Sequence, residues 1–194
     1  MATSSSRLSI NSSKNLPTIL LLISISSIGM VSRMNLCSIL KYTASIFHDV
    51  IKIRNMESRE FLELMECMQR IFPERANSNL FLELYEIFPE GFVVALDDGK
   101  IIGFAIGILS DEGKGRILLI GVDENYRCRG IGTRLLKKLL MNLRSSGAVE
   151  IELEVRVSNK RAIEFYQKNG FIKIRRVSGF YEDGEDGYVM VKKL

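Results

Sequence analysis

The sequence predicts an α/β domain built on a mixed sheet, and three stretches carry that expectation. Residues 150–157 alternate without a break, Ile151, Leu153, Val155 and Val157 against Glu150, Glu152, Glu154 and Arg156, which is the period of a half-buried strand. Residues 61–71 and 131–143 instead space their apolar side chains by three and four, the stripe of a helix lying on a core. An apolar run ending in Val122 passes through closely spaced glycines into the second of these helices, a strand–turn–helix unit.

The remaining elements follow in chain order. Residues 50–54 alternate apolar and polar, as an opening strand does. Ser58 is the expected N-cap of a helix that presents Phe61, Leu64, Met65, Met68 and Ile71 on one face and stops before Pro73. Residues 79–88 form a second short amphipathic helix, ended by Pro89. Strands at 91–96 and 101–109 flank Asp97-Asp98-Gly99-Lys100, the chemistry of a tight hairpin turn. Residues 116–122 are the strand that feeds the glycine turn. Ile131, Leu135, Leu139, Leu140 and Leu143 then face the core, with Gly147 just past the helix end. A last helix over 159–168 is closed by Gly170, and strands at 171–177 and 188–192 finish the chain.

A length of 194 residues suits one domain with a sizeable core, and a net charge of +4 with scattered basic residues gives no ground for nucleic-acid binding. Cys37, Cys67 and Cys128 are widely spaced with no Cys-x-x-Cys pair, which fits a reducing compartment and no structural metal. Cys128 lies inside the glycine turn with no histidine near in sequence to activate it, and is read as a spacer whose backbone N–H matters. His48 is given no role.

Residues 1–48 differ from the rest. They hold no Asp or Glu, many serines, and an apolar run over 18–31 that is shorter than the roughly 20 residues of a membrane span. Three readings stand open: a cleaved signal, a weak membrane anchor, or translated upstream sequence with the start at Met30, Met34 or later. The expected division is therefore a disordered or non-native extension over 1–48 and a catalytic domain over 49–194.

The glycine turn is the centre of the functional reading. A strand that turns through glycines and arginines into a helix gathers unshielded N–H groups and the positive end of the helix dipole around one concavity, which suits a pyrophosphate. It lacks the G-x-G-x-x-G of a dinucleotide fold and the Gly-Lys-Ser/Thr of a P-loop.

The string Val122-Asp123-Glu124-Asn125-Tyr126-Arg127-Cys128-Arg129-Gly130-Ile131-Gly132-Thr133 resembles the acetyl-CoA-binding motif of the GCN5-related N-acetyltransferase (GNAT) family. Leu153-Glu154-Val155-Arg156-Val157-Ser158-Asn159, Ala162-Ile163-Glu164-Phe165-Tyr166 and Asn169-Gly170-Phe171 resemble the "LEVR-SN-AI-Y-GF" region of its subgroup that acetylates protein N-termini. Residues 180–190 are similar to the "YY-DGEDA-M" tail of that subgroup, which includes the ribosomal-protein alanine acetyltransferase and Ard1-type enzymes. The resemblance covers about 50–194. It implies the GNAT fold, a central mixed sheet splayed between strands 4 and 5 with flanking helices, and acetyl-CoA as co-substrate without a metal.

The same resemblance implies roles. Glu154 matches the base, acting through water, and Tyr166 the acid that protonates the leaving thiolate; Asn159 matches the asparagine that bonds the pantetheine arm. The diphosphate is expected at the N–H groups of Cys128, Arg129, Gly130, Ile131, Gly132 and Thr133, with Arg127 or Arg129 adding charge. The pantetheine amides are expected along Ile120, Gly121 and Val122, and the oxyanion at an N–H near Val122. Glu74 and Tyr181 are the substrate-side candidates, Phe180 departing from the first tyrosine of the "YY" pair. The expected activity is transfer of acetyl to a protein N-terminal α-amine in the cytoplasm, by a monomer or weak dimer with no nucleic acid or stable membrane partner unless the leader anchors it. A lysine or small-molecule amine acetyltransferase and a non-catalytic acetyl-CoA-binding module are the alternatives.

Overall fold

The computed structural model describes residues 51–194 apart from 76 and 111; the expected extension over 1–48 lies outside them. Seven strands run β1 Lys52–Asn55, β2 Phe92–Asp97, β3 Lys100–Leu109, β4 Lys114–Val122, β5 Glu150–Arg156, β6 Ile172–Val177 and β7 Gly187–Lys193. Four α-helices, α1 Phe61–Ile71, α2 Ser78–Ile87, α3 Ile131–Ser145 and α4 Lys160–Lys168, join them with short 3-10 turns. One mixed sheet results, in the order β1-β2-β3-β4-β5-β7-β6. All pairs are antiparallel but β4–β5, which is parallel and bridged by α3.

The central strands are apolar on both faces because both are covered. Val93 and Ala95 of β2 join Ile117, Leu135, Leu139, Ile151 and Leu153 in a core beneath α3. Phe92 and Val94 face the other way, onto Leu64, Cys67 and Met68 of α1, with Phe104 and Ile106. Burial pushes the Cys67 thiol up to about 11, so it packs as a small apolar side chain. Asn142 is the buried polar residue of α3, and its amide donates to Asn55 Oδ1 at 2.9 Å and to Glu90 O at 2.8 Å.

Local chemistry explains most boundaries. Asp98 (φ 47°) and Gly99 (φ 81°) are both left-handed, as a two-residue hairpin turn requires. Asn77 and Asn159 cap α2 and α4, accepting from Leu80 N–H at 3.2 Å and Ala162 N–H at 3.0 Å. At α1 the expected cap is corrected. Ser58 lies inside a 3-10 turn, and Glu60 supplies the closure by accepting from Glu57 N–H at 2.9 Å while gripping Arg54 at 2.6 and 2.8 Å. A carboxylate anchored by a guanidinium outcompetes a serine hydroxyl for this role.

Candidate active site

β4 and β5 pair only from Lys114↔Glu150 to Ile117↔Leu153, although β4 continues to Val122 and β5 to Arg156. The expected splay is therefore present. A bulge lies at the same point: Leu119 faces Ile106 and Ile117 faces Gly107, with Leu118 the extra residue between. The bulge redirects the side chains, sending Ile117 to the core under α3 and Leu119 to the core under α1. Beyond it the strands enclose a cleft of about 940 Å³.

The glycine turn forms one end of that cleft. After Val122, Asp123 accepts from Asn125 N–H at 3.2 Å and starts a 3-10 turn, Glu124–Tyr126. Cys128 (φ 62°) and Gly130 (φ 74°) are then both left-handed, and α3 begins. Its first helical bond runs from Arg134 N–H to Gly130 O at 3.1 Å, so the N–H groups of Ile131, Gly132 and Thr133 have no helical acceptor. Cys128, Gly130, Ile131, Gly132 and Thr133 all line the cleft. Alternating left-handed residues ahead of a helix N-terminus make an anion-binding nest, which fits a diphosphate.

The two arginines divide. Arg127 lines the cleft, its Nε donating to Val122 O at 3.0 Å. Asp123 N–H donates to Ile102 O at 2.8 Å, so by strand alternation Gly121 pairs with Phe104 of β3, and Ile120 and Val122 turn their backbone groups toward the cleft. Arg129 does not line the cleft; its guanidinium lies 5.3 Å from the Tyr126 ring centroid and borders a neighbouring hollow with Asp97 and Lys100. The aromatic face is a favourable seat for the cation.

At the other end of the cleft stand Glu154 and Tyr166. Leu153 and Val155 point into the core, so Glu154 takes the opposite face of β5, where Arg116 Nη2 donates to its Oε1 at 2.5 Å and Arg116 Nε to its Oε2 at 3.1 Å. Tyr166, on α4, is buried between the rings of Phe165 and Phe171, at 5.2 and 5.6 Å. Burial, and secondarily the Tyr181 hydroxyl, push its hydroxyl well above the ordinary tyrosine value, so it keeps its proton at neutral pH. Asn159 also lines the cleft. Its oxygen already accepts in the α4 cap, and its NH2 group is the donor it can offer to a ligand.

Glu74 and Tyr181 lie on the same cleft as Glu154 and Tyr166. Glu74 comes from the 3-10 turn Pro73–Arg75, directly after Phe72, whose ring packs edge-on to Phe104. Tyr181 comes from the β6–β7 connection. Its ring centroid lies 4.1 Å from the Arg156 guanidinium, which also bonds Asp183 at 2.6 Å and Glu185 at 2.8 Å.

Arg116 and Arg156 are the site residues that sequence reading missed. Arg156 was visible as one of four polar residues alternating along β5 and as a letter of the LEVR resemblance, without a role, and Arg116 only as the start of a strand; the partners of both depend on strand register and on a distant loop. Among the described residues no group of three His, Cys, Asp or Glu is placed to hold a metal ion. No helix among them is long and apolar enough to cross a membrane.

Known proteins share this fold. Ard1 from Thermoplasma volcanium is similar in structure with a TM-score of 0.69 at 30% identity, over 75% of this chain and 98% of that one. Arabidopsis thaliana Naa50, in complex with the bisubstrate analogue CoA-Ac-MVNAL, gives a TM-score of 0.65 at 26% identity, over 75% of this chain and 99% of its own. An N-alpha-acetyltransferase of Saccharolobus solfataricus is 32% identical over 154 residues, 73% of this chain and 92% of the relative. Residues 61–171 match the Acetyltransferase (GNAT) family, and with that match spanning more than half of its length the chain belongs to the GNAT acetyltransferases.

Proposed function

We propose that this protein transfers the acetyl group of acetyl-CoA to the α-amine of a protein N-terminus, by direct attack within a ternary complex. One observation carries the reading: a single cleft holds an anion-binding turn at one end and a carboxylate, a protonated tyrosine and an open loop pair at the other. A relative named N-alpha-acetyltransferase, and a structural neighbour bound to an analogue that joins CoA to a peptide, support it.

The thioester supplies an acetyl group already activated for transfer. The chain's own residues then have three tasks. The nest over 128–133 and the cleft-facing backbone of Ile120 and Val122 hold the cofactor in line, which by itself can lower the barrier by several kcal/mol. Glu154 receives the amine proton through water. Tyr166, proton-bearing at neutral pH, returns one to the departing thiolate.

An α-amine with pKa about 7.7–8.0 is roughly one-tenth neutral at pH 7, against well under a thousandth for a lysine near 10.4. A modest base therefore serves an N-terminus better than a lysine. Glu74 and Tyr181 contact the peptide's first residues from opposite loops. The reading is tested by competing an N-terminal peptide against an internal-lysine peptide and a polyamine. Preferential acetylation of the α-amine is expected, and preference for either competitor refutes it. Glu154→Gln should lower turnover by about 10²–10⁴-fold with cofactor affinity kept within a few-fold.

A further inference from the structure

The last rung of the β4–β5 ladder is Ile117↔Leu153, and the side chains that meet beside it are Arg116 and Glu154. Arg116 has Glu152 as its partner in register, yet its guanidinium passes Glu152 and reaches diagonally to Glu154, occupying both carboxylate oxygens. Glu154 is 11% exposed at its side chain and Arg116 46%. Ion pairs with one partner this exposed contribute little to stability, so the pair needs another reason.

We propose that Arg116 is the positioning residue of Glu154. The inference rests on the reading of Glu154 as the group that takes the amine proton. Where the strands part, β7 still holds the backbone of Glu154 through Val189 but no residue of β4 stands opposite it, and a glutamate has three torsions free to carry its carboxylate off the cleft wall. A planar fork that bonds Nε to one oxygen and Nη2 to the other fixes position and plane together. Each oxygen keeps a second lone pair with which to accept from water or the amine. Lysine, a point charge on a flexible stem, holds the carboxylate without fixing its plane.

The experiment is a double-mutant cycle on turnover of an N-terminal peptide, using the full chain with wild type, R116Q, R116K, E154Q and R116Q/E154Q. R116Q is expected to lower kcat by about 10–100-fold, the scale of a misplacement near 1 Å, with KM for acetyl-CoA within twofold. R116K should recover part of that loss. On the E154Q background, R116Q should cost less than about twofold, because the group it positions is already gone. A merely structural role would lower both backgrounds equally, and that result overturns the proposal, as does wild-type kcat in R116Q. Wild-type kcat in E154Q overturns the role of Glu154 as well, and so separates the two failures. If R116Q does not fold, R116K and R116K/E154Q complete the same cycle, and equal losses in the two backgrounds again overturn it.

Discussion

Arg156 and Glu185 are joined at 2.8 Å, and through that bond a residue of β5 governs a loop whose strands have already separated. The β6–β7 ladder ends at Val177↔Gly187, so residues 178–186 carry no cross-strand rungs. Side chains hold them, beside a few backbone bonds such as Tyr181 N–H to Glu185 O at 3.0 Å and Val157 N–H to Asp186 O at 3.1 Å. Glu185 also accepts from Ser158 N–H at 2.9 Å, and Asp186 accepts from Gly179 N–H at 2.9 Å and Arg176 Nε at 2.6 Å.

Removing that fastening should cost peptide binding and spare the cofactor. Arg156→Ala removes one partner each from Asp183, Glu185 and the Tyr181 ring. The expected outcome in steady-state kinetics is a rise of roughly tenfold in KM for the peptide, the size of one lost anchoring contact, with acetyl-CoA affinity by calorimetry unchanged. Equal losses for both ligands would show a general collapse of the cleft.

The fastening should also resist acid. Hydrogen bonds from Ser158 and then from Arg156 hold the Glu185 carboxyl down at about 2, and Asp183 and Asp186 are likewise lowered, first by the Glu185 and Gly179 N–H groups respectively. A depressed carboxylate contributes fully above its unfolded value near 4.3 and loses that contribution as pH falls through its folded value. The Ser158 amide resonance should therefore hold its position from pH 7 to about 4 and move only as pH approaches 2. A midpoint near 4.3 would mean that the contact is absent in solution.

Two left-handed residues in one turn should answer differently to substitution. A Cβ at Gly130 meets nothing within 4 Å, so the cost of Gly130→Val is torsional, about 1–2 kcal/mol against φ 74°. Cofactor affinity should drop by about tenfold without unfolding. Cys128 already bears that strain at φ 62°, its exposed thiol 3.5 Å from Arg161 Nη2. Cys128→Gly should leave turnover within about threefold and the unfolding temperature equal or up to about 4 °C higher. A tenfold loss of turnover would give the thiol a role that the spacer reading denies it.

Tyr166→Phe and Glu154→Gln should separate by pH. Burial keeps the Tyr166 proton in place across pH 6–9, so a defect of about 10²–10⁴-fold should stay level over that range. The Glu154→Gln defect should narrow above pH 8, where the α-amine is already mostly neutral. Turnover profiles of the two variants decide it, and parallel curves would remove the distinction between acid and base.

What could be read from the residues was whatever one segment decides by itself. The alternation of 150–157, the turn residues Asp98 and Gly99, and the stripes of α1 and α3 each have a local cause, and the observed elements agree to within one or two residues. The collection of Glu74, Glu154, Tyr166 and Tyr181 on one cleft came from resemblance to a family, since nothing local brings those positions together. Arg116 shows the limit. Its partner is set by a parallel register and a strand separation, neither of which leaves a mark at position 116. Arg129 sits in the turn that the motif marks, and the stacking of its guanidinium on the ring of Tyr126 is a contact that the motif does not reveal.

The short β4–β5 ladder makes the sheet a seam awaiting closure. Four register pairs join the two halves, and past Ile117 the amides of β4 that face β5 have solvent where a sheet would have a rung. A strand-like ligand arm laid there adds the missing rungs, so binding and the last step of sheet assembly become one event. Slowed amide hydrogen exchange at Ile120 and Val122, together with a raised unfolding temperature, should follow saturation with acetyl-CoA. An enzyme of this build is at its loosest with its seam empty, and the metabolic supply of its co-substrate then sets how much of it stands fully zipped.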